Sequence, residues 1–183
     1  MTIVHVRRFA TLFAVVLLAT AGWILADSWA YPPEVKIKSF EFGKSKLVLE
    51  IDGTRDQSFP PHTLLIFLDD QLMAKYRNVG FTDVYASDDK RYFVGLSNSG
   101  IPGTAFVIFD AEGNLIREEK HRFLPRGIHT EMSVTVLRAW YDEKKPTAEF
   151  VMDNGRLMGV LVQGSNGQRY DLLKGDLGFK PSR

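Results

Sequence analysis

From Val35 to the end of the chain, apolar residues occur in short runs rich in Val, Ile, Leu, Phe and Tyr. Gly, Asp, Asn or Pro follows most of these runs, and we find no long stretch with the 3.6-residue period of an amphipathic helix. β-Branched and aromatic side chains pack well on a pleated sheet, whereas Gly, Asp and Asn adopt the backbone angles of tight turns. The pattern predicts an all-β domain built from antiparallel meanders.

The same pattern predicts where the strands and turns lie. Asp69-Asp70, Asp153-Asn154-Gly155 and Asn166-Gly167 separate neighbouring apolar runs, and Gly113 suits a left-handed position in a longer hairpin loop. Short connections of this kind join antiparallel neighbours. The predicted strands span residues 35–42, 46–52, 63–69, 71–77, 81–86, 91–97, 104–109, 114–121, 132–141, 147–152, 156–163 and 168–173.

The predicted strands fall into three units, each with a pair of strands followed by a hairpin. The pairs are 35–51, 84–96 and 134–151, and the hairpins are 64–77, 105–121 and 157–174. Units of about 40–50 residues with four strands resemble the blades of a β-propeller, although propellers usually have four to eight blades. A β-sandwich uses the same strands without closing a ring. We therefore expect a β-sandwich, with a partial β-propeller of about three four-stranded units as the alternative.

The first thirty residues have the composition of an export segment. Arg7 and Arg8 precede an uncharged run of 18 residues, Phe9–Ala26, which ends near small residues. This is the layout of a secretory signal peptide. A helix of this length rises about 27 Å, close to the ~30 Å hydrocarbon core of a membrane, so the run also fits a single N-terminal membrane anchor. We predict a signal peptide or anchor in residues 1–30 and an exported all-β domain, periplasmic or extracellular, in residues 31–183.

The charges are nearly balanced, with 23 Lys and Arg against 22 Asp and Glu. Without residues 1–30, which contain Arg7, Arg8 and Asp27, 21 basic and 21 acidic residues remain. Nucleic-acid-binding domains are typically basic, so nucleic acid is not an expected partner. The chain contains no cysteine, which excludes disulfides, thiol catalysis and zinc–thiolate sites. We expect the apolar core alone to hold the domain together and local patches to provide any charge-driven binding.

Two short patterns resemble catalytic or metal-binding motifs, but each has an ordinary explanation. Ser87 and Lys90 have the Ser-x-x-Lys spacing of some serine enzymes, yet that geometry needs a helix and these residues lie between predicted strands. The segment Asp110–Asn114 alternates oxygen-bearing residues as a calcium loop does, and it also has the composition of a hairpin turn. We favour the exposed turn for the first pattern and the hairpin for the second.

Two other groups of residues have a functional and a structural interpretation. His121, His129 and Glu131 carry side chains that bind metals, but nothing else in the sequence supports a metal site there. The aromatic pair Trp140-Tyr141 offers the flat apolar area that binds sugars, although β-rich domains commonly bury one tryptophan in the core. We expect Trp140 in the core, and we name no catalytic residue, no metal and no cofactor.

A long connection, residues 121–130, is the candidate binding surface. It contains Arg122, Phe123, Arg126 and His129 but no acid. Arginine forms paired hydrogen bonds with carboxylate or phosphate, and an aromatic ring supplies an apolar anchor. Such a loop suits an acidic patch on a protein partner or the headgroups of an anionic membrane. In the alternative interpretation, the apolar residues of the loop pack into the core and its arginines pair with nearby acids.

These features lead to two hypotheses about function. The first is a non-catalytic binding or assembly module exposed to the periplasm or cell exterior, with a cell-envelope protein or an anionic membrane surface as partner. The second is an exported hydrolase or carbohydrate-active enzyme whose site is built from loops. We expect the first rather than an enzyme, because none of the catalytic motifs considered has both its residues and its structural context.

Overall fold

Thirteen β-strands and no α-helix occur in the residues that the computed structural model describes, which are 33–56, 60–98, 104–121, 124, 128, 130–132, 138–142 and 148–174. All of them belong to one unit of the chain, Tyr31–Arg183. The strands are β1 (Val35–Phe42), β2 (Ser45–Asp52), β3 (His62–Leu68), β4 (Gln71–Arg77), β5 (Asp83–Ala86), β6 (Tyr92–Leu96), β7 (Thr104–Asp110), β8 (Leu115–Lys120), β9 (Glu131–Met132), β10 (Arg138–Ala139), β11 (Glu149–Asp153), β12 (Arg156–Gln163) and β13 (Arg169–Asp171). The predicted all-β class is confirmed.

Most of these strands form three meanders, in which each strand is antiparallel to the next. Sheet 1 has the order β1-β2-β3-β4, sheet 2 has the order β5-β6-β7-β8, and sheet 3 has the order β11-β12-β13. The short strands β9 and β10 form a separate pair. Within the described ranges, no helix has the length and apolar character that a membrane crossing requires.

Two of the predicted turns have backbone angles that most residues avoid. Asp69 and Asp70, between β3 and β4, have φ values of 48° and 63°, and Asn154 and Gly155, between β11 and β12, have values of 47° and 77°. Two successive positive φ angles are typical of a type I′ turn, whose twist matches that of the flanking strands. Asp and Asn tolerate this region better than other non-glycine residues, which explains why they close these two hairpins.

Sheets 1 and 2 share an apolar core, here called core 1. Every second residue of β2 is buried, so one face of sheet 1 is apolar and covered. Tyr76 of sheet 1 donates a hydrogen bond from Oη to the carbonyl oxygen of Gly113 of the β7–β8 turn at 2.6 Å. Core 1 consists of Leu47, Leu49, Ile51, Leu64, Ile66, Val79, Phe81, Phe93, Val107, Phe109 and Ala111.

Sheet 2 also shares a second apolar core, core 2, with sheet 3 and the segment at residues 140–141. Arg117 of β8 donates a hydrogen bond from Nη1 to the carbonyl oxygen of Leu173 at 3.0 Å, and its guanidinium lies over the ring of Phe106 at 5.6 Å. Core 2 consists of Val94, Leu96, Ala105, Phe106, Ile108, Trp140, Tyr141, Leu157, Val160, Val162, Tyr170 and Leu172.

Both faces of sheet 2 are therefore buried. In β7, Val107 and Phe109 belong to core 1, whereas Phe106 and Ile108 belong to core 2. This explains why β7 is apolar at nearly every position instead of at alternate positions.

The structure agrees with all but one of the predicted strands to within two residues at each end. The predicted strand 132–141 is wrong, because β9 pairs antiparallel with β10, so that Met132 lies opposite Arg138 and Glu131 opposite Ala139. An alternating apolar pattern predicts extended backbone, but it does not reveal that the two ends of the run pair with each other.

Candidate binding cleft

A cleft of about 720 Å³ lies beside β11, between sheet 3 and the turn that joins β5 to β6. This volume falls within the range of small-molecule and peptide sites in proteins. The polar lining residues are Asp88, Asp89, Glu149, Gln163 and Arg169, and the remaining ones are Ala86, Ala148, Phe150, Met152, Gly155 and Leu161.

One wall of the cleft is apolar and belongs to β11. Ala148, Phe150 and Met152 are partly buried and pack against core 2, because alternate residues of a strand share one face. Glu149 and Leu161 lie directly opposite each other in the β11–β12 ladder, on the other face of sheet 3. Residues from both faces of sheet 3 therefore line the cleft at β11.

The backbone of β11 is open toward the cleft. In the described part of the chain, β11 is an edge strand with β12 as its only neighbour. The carbonyl oxygen of Val160 accepts a hydrogen bond from the amide of Leu172, so the backbone N–H and C=O of Val160 point toward β13. Phe150 lies opposite Val160. In an antiparallel pair, two opposite residues either both direct their N–H and C=O toward each other or both direct them away, so the backbone groups of Phe150 point away from β12. The free edge thus presents an N–H and a C=O at Phe150, and the same alternation places those of Met152 there.

The β5–β6 turn places two exposed carboxylates at the rim. The hydroxyl of Ser87 donates a hydrogen bond to Asp89 Oδ1 at 2.6 Å, and the amide of Arg91 donates to the same atom at 3.1 Å. The hydrogen bond from Ser87 holds the pKa of the Asp89 carboxyl below its usual value, so Asp89 is ionised at neutral pH. Asp88 is exposed beside it.

The opposite rim carries one ion pair. Arg169 of β13 donates a hydrogen bond from Nη2 to Glu149 of β11, and both side chains are more than half exposed. The lining contains three acids, Asp88, Asp89 and Glu149, and one basic residue, Arg169, so its net charge is negative. The guanidinium of Arg91 lies beside Gly155, and its positive charge also acts on Asp89. The cleft therefore combines an apolar wall with an acidic rim.

Buried hydrogen bonds hold residues 140–141 next to the end of β12. The amide of Trp140 donates to Asn98 Oδ1 at 3.0 Å, and Asn98 Nδ2 donates to the carbonyl oxygen of Tyr141 at 3.2 Å. Trp140 Nε1 donates to the carbonyl oxygen of Ser97 at 2.9 Å. A single antiparallel bridge joins Tyr141 to Gly164, directly after β12. The predicted core position of Trp140 is confirmed, since its exposed fraction is 0%.

The same segment is linked to β5. Tyr141 donates a hydrogen bond from Oη to Asp83 Oδ2 at 2.6 Å, and this hydroxyl lies 3.1 Å from Thr82 Oγ1. Burial, and then the negative charge of Asp83, raises the pKa of Tyr85 to about 12, so the Tyr85 hydroxyl is neutral at physiological pH. Tyr85 packs against core 2, and β5 thus contributes to the second core.

The four predicted binding residues, Arg122, Phe123, Arg126 and His129, lie outside the described residues. From the same loop, Leu124 and Ile128 are described, and both are partly buried against core 2. For Leu124, this is the position expected if the apolar part of the loop packs into the core. Whether the loop binds a partner stays a prediction.

Residues 87–90 and 110–114 form turns, as we favoured for both segments, although the Ser87 side chain is buried. The amide of Lys90 donates to the carbonyl oxygen of Ser87 at 2.9 Å, so the Ser-x-x-Lys residues lie in a turn and not on a helix. The Asp110 carboxylate accepts hydrogen bonds from both the amide and the side chain of Asn114, which closes the predicted hairpin. His121 is buried. Over the described ranges, no group of three or more His, Asp or Glu side chains is arranged to hold a metal ion.

Sequence analysis did not identify the cleft. Asp88 and Asp89 were visible as a pair of acids, but such pairs at turns are usually solvated, and nothing in the local sequence indicates that Glu149 and Arg169 approach the same space. The sequence feature closest to the cleft was the third predicted unit. Its hairpin 157–174 was predicted correctly, but its first strand was not. Comparisons with protein families, with characterised proteins and with solved structures give no match to this chain.

Proposed function

We propose that residues 31–183 form a non-catalytic binding or assembly module that faces the periplasm or the cell exterior and serves as a subunit of an envelope complex. The observation that carries this proposal is the cleft beside β11, which joins an apolar wall to an acidic rim. Binding sites commonly combine apolar area with a few polar groups that fix the orientation of the ligand. The lining residues come from hydrogen-bonded strands of sheet 3 and from the β5–β6 turn of sheet 2.

The charge state of the rim favours binding over hydrolysis. In many glycosidases, one carboxyl group has a raised pKa so that it can donate a proton, and a second carboxylate lies across the cleft. Here the pKa of Asp89 is lowered and Glu149 is paired with Arg169. Ionised carboxylates of this kind attract a cationic group on a ligand. The exported hydrolase remains the second candidate, supported only by the presence of three acids in one cleft.

We also propose that the three sheets form an open stack of about three propeller-like blades. Support comes from the two cores, because core 1 covers one face of sheet 2 and core 2 covers the other. A sandwich of two sheets has a single core between them, with the outer faces solvated. Neighbouring blades of a propeller pack in the face-to-face way that buries a middle sheet on both sides.

The proposed location rests on the run Phe9–Ala26 after Arg7 and Arg8. Fusion of residues 1–30 to a reporter that is active only after export tests it. We expect the reporter to cross the membrane, and a fusion in which both arginines are replaced by Glu serves as the control for the positive flank. A reporter that stays in the cytosol contradicts the proposed location.

The loop at residues 121–130 offers a second test, aimed at a protein partner or an anionic membrane surface. The double variant Arg122→Glu with Arg126→Glu reverses two positive charges. If the loop binds, the variant stays folded but loses association with its partner or with anionic vesicles, most clearly at low salt where screening is weak. Unchanged association, or unfolding of the domain, removes this loop from the proposed binding surface.

Site-specific photo-crosslinking tests the cleft itself. A photoreactive amino acid at Asp88, in the full-length chain expressed in its native cells, is expected to give a covalent adduct with one envelope protein. The matched control is the same amino acid at Glu112, which is an exposed acidic residue of the β7–β8 turn. Equal adducts at both positions, or none at Asp88, contradict a partner in the cleft.

A further inference from the structure

We propose that the cleft binds an extended strand of a partner polypeptide, which pairs with the free edge of β11 and completes sheet 3 to four strands. This proposal rests on the proposed binding function and names the kind of ligand and the way it is held. In strand addition, the backbone provides the affinity, and the side chains of alternate residues provide the specificity.

The first argument is that the third meander has three strands in the described residues, whereas the other two have four. Sheets 1 and 2 each contain four strands, and each ends in a hairpin, β3–β4 or β7–β8. Sheet 3 ends in the hairpin β12–β13, so that β11 corresponds to β2 and β6, the second strands of the other sheets. Among the described residues, no strand lies next to β11 in the position that β1 and β5 occupy in their sheets, and the cleft lies beside β11.

The second argument is the state of the backbone at that edge. The N–H and C=O of Phe150 point away from β12, because those of the opposite residue, Val160, point toward β13. Backbone groups alternate in direction along a strand, so the N–H and C=O of Met152 also point away from β12. The ladder contains a β-bulge, in which Val151 lies opposite Gly159 and Met152 lies opposite Leu157. The extra residue, Met158, is therefore on β12 and not on β11. β11 therefore keeps a regular edge from residue 149 to residue 153.

The third argument is the contrast with the edge strands β1 and β8. Proteins commonly protect open edges with charged side chains, lysine above all. The edge strand β1 carries Lys36 and Lys38, and the edge strand β8 has four charged residues in succession, Arg117–Lys120. β11 has three apolar residues, Phe150–Met152, between its two terminal acids.

The length of β11 sets the number of residues that can pair with it. Five residues in extended conformation span about 17 Å, which matches the five residues of β11. A strand at the usual spacing of about 4.8 Å from β11 presents alternate side chains to core 2. Residues facing core 2 meet Ala148, Phe150 and Met152.

The charges of the rim define the partner further. Asp88 and Asp89 are exposed carboxylates at the β5–β6 turn, and Asp89 is held in its ionised form. A lysine or arginine of the bound strand neutralises them, whereas an acidic side chain is repelled. The partner strand is therefore expected to alternate apolar and polar residues and to carry a basic residue at one end.

The test uses the full-length, ¹⁵N-labelled chain in detergent micelles and the probe acetyl-Lys-Thr-Val-Thr-Val-Thr-amide. In the free protein, the amide hydrogens of Phe150 and Met152 should exchange rapidly with solvent, while that of Val151 exchanges slowly because it faces β12. Addition of the probe should slow exchange at Phe150 and Met152 by at least about tenfold. Slow exchange at both positions before the probe is added means that the chain covers its own edge, and this overturns the proposal.

Two modified probes separate strand pairing from nonspecific contact. Methylation of the two backbone nitrogens that face β11 removes two hydrogen bonds and should weaken binding by about tenfold to thirtyfold, at about 1 kcal/mol for each bond. Replacement of the lysine by glutamate should weaken binding several-fold, and more at low salt. Equal binding of the methylated probe, or a dissociation constant weaker than about 1 mM for the parent probe, overturns the proposal.

Protein variants provide the matching controls. Asp88→Asn should weaken binding of the lysine probe several-fold, and binding of the glutamate probe should be unchanged or tighter. Asp70→Asn should change the affinity of neither probe. Equal effects of the two variants contradict the acidic rim as the source of specificity. If the probe does not protect β11 but crosslinking from Asp88 still captures one envelope protein, strand addition fails and the binding function stands. If neither occurs, both proposals fail.

Discussion

Asn98 fastens the segment that carries Trp140 and Tyr141 to the end of sheet 2, and its replacement tests what this link contributes to stability. The Trp140 amide donates to Asn98 Oδ1 at 3.0 Å, and Asn98 Nδ2 donates to the carbonyl oxygen of Tyr141 at 3.2 Å. Asn98, Trp140 and Tyr141 are all buried. Asn98→Ala therefore removes both of these buried hydrogen bonds and a longer one, which the Tyr141 amide donates to Asn98 Oδ1 at 3.4 Å. Two backbone N–H groups and one backbone C=O lose these partners.

The size of the effect follows from these bonds. Each contributes about 1 kcal/mol net, and a buried polar group that loses its partner costs about 1–3 kcal/mol. We expect Asn98→Ala to lower the free energy of unfolding by about 2–4 kcal/mol. With a urea m-value of about 2 kcal/mol/M, the unfolding midpoint then falls by about 1–2 M.

Urea unfolding of residues 31–183 measures this change, because Trp140 is the only tryptophan in that segment and its fluorescence reports on the site itself. Asn114→Ala is the matched control, since Asn114 is exposed and its side chain donates to Asp110 at the surface. The control should change the free energy of unfolding by less than about 0.5 kcal/mol. If Asn98→Ala has no larger effect than the control, Asn98 does not hold the segment and the reasoning is refuted.

Three further predictions concern packing, protonation and fold class. Gly95→Ala should lower the free energy of unfolding by about 1–3 kcal/mol in urea titrations, because a Cβ there would lie 2.5 Å from Phe81 Cδ1; an unchanged midpoint would contradict this close approach. Burial lowers the pKa of His62 from 6.5, so the unfolded chain binds the proton more readily and stability should fall as the pH decreases below that value. Urea midpoints on both sides of pH 6.5 measure this, and His62→Gln should remove that contribution to the slope. Circular dichroism of residues 31–183 should show mainly strand, and helix in more than about a third of the residues would contradict the all-β class.

The strands could be predicted because turn and strand residues alternate cleanly. The type I′ turn at Asp69-Asp70 and the Asn154-Gly155 turn each mark a hairpin with residues that tolerate positive φ. These are local signals, and local signals were sufficient for sheets 1 and 2. The run 132–141 has the alternating apolar pattern of a single strand, and that pattern did not show that Met132 pairs with Arg138.

The cleft depends on contacts that the sequence does not encode locally. Asp88 and Glu149 line the same space although 61 positions separate them, and their approach requires sheet 2 to pack against sheet 3. The open edge of β11 depends on the absence of a neighbouring strand in the described residues, which no property of β11 itself indicates. The loop residues Arg122 and Arg126 stay a prediction from composition.

The burial of sheet 2 on both faces has a consequence for the order in which the nascent chain folds. Each meander pairs strands that are close in sequence, so its contact order is low and it forms quickly once synthesised. Yet the apolar face with Leu49 and Ile66 has no cover until sheet 2 has been made, and the face of sheet 2 with Phe106 and Ile108 then waits for residues 140–172. During N-to-C synthesis, one apolar surface is always uncovered until the last sheet arrives. Chains that end before β12 therefore expose an apolar surface, which makes them targets for chaperones and proteases.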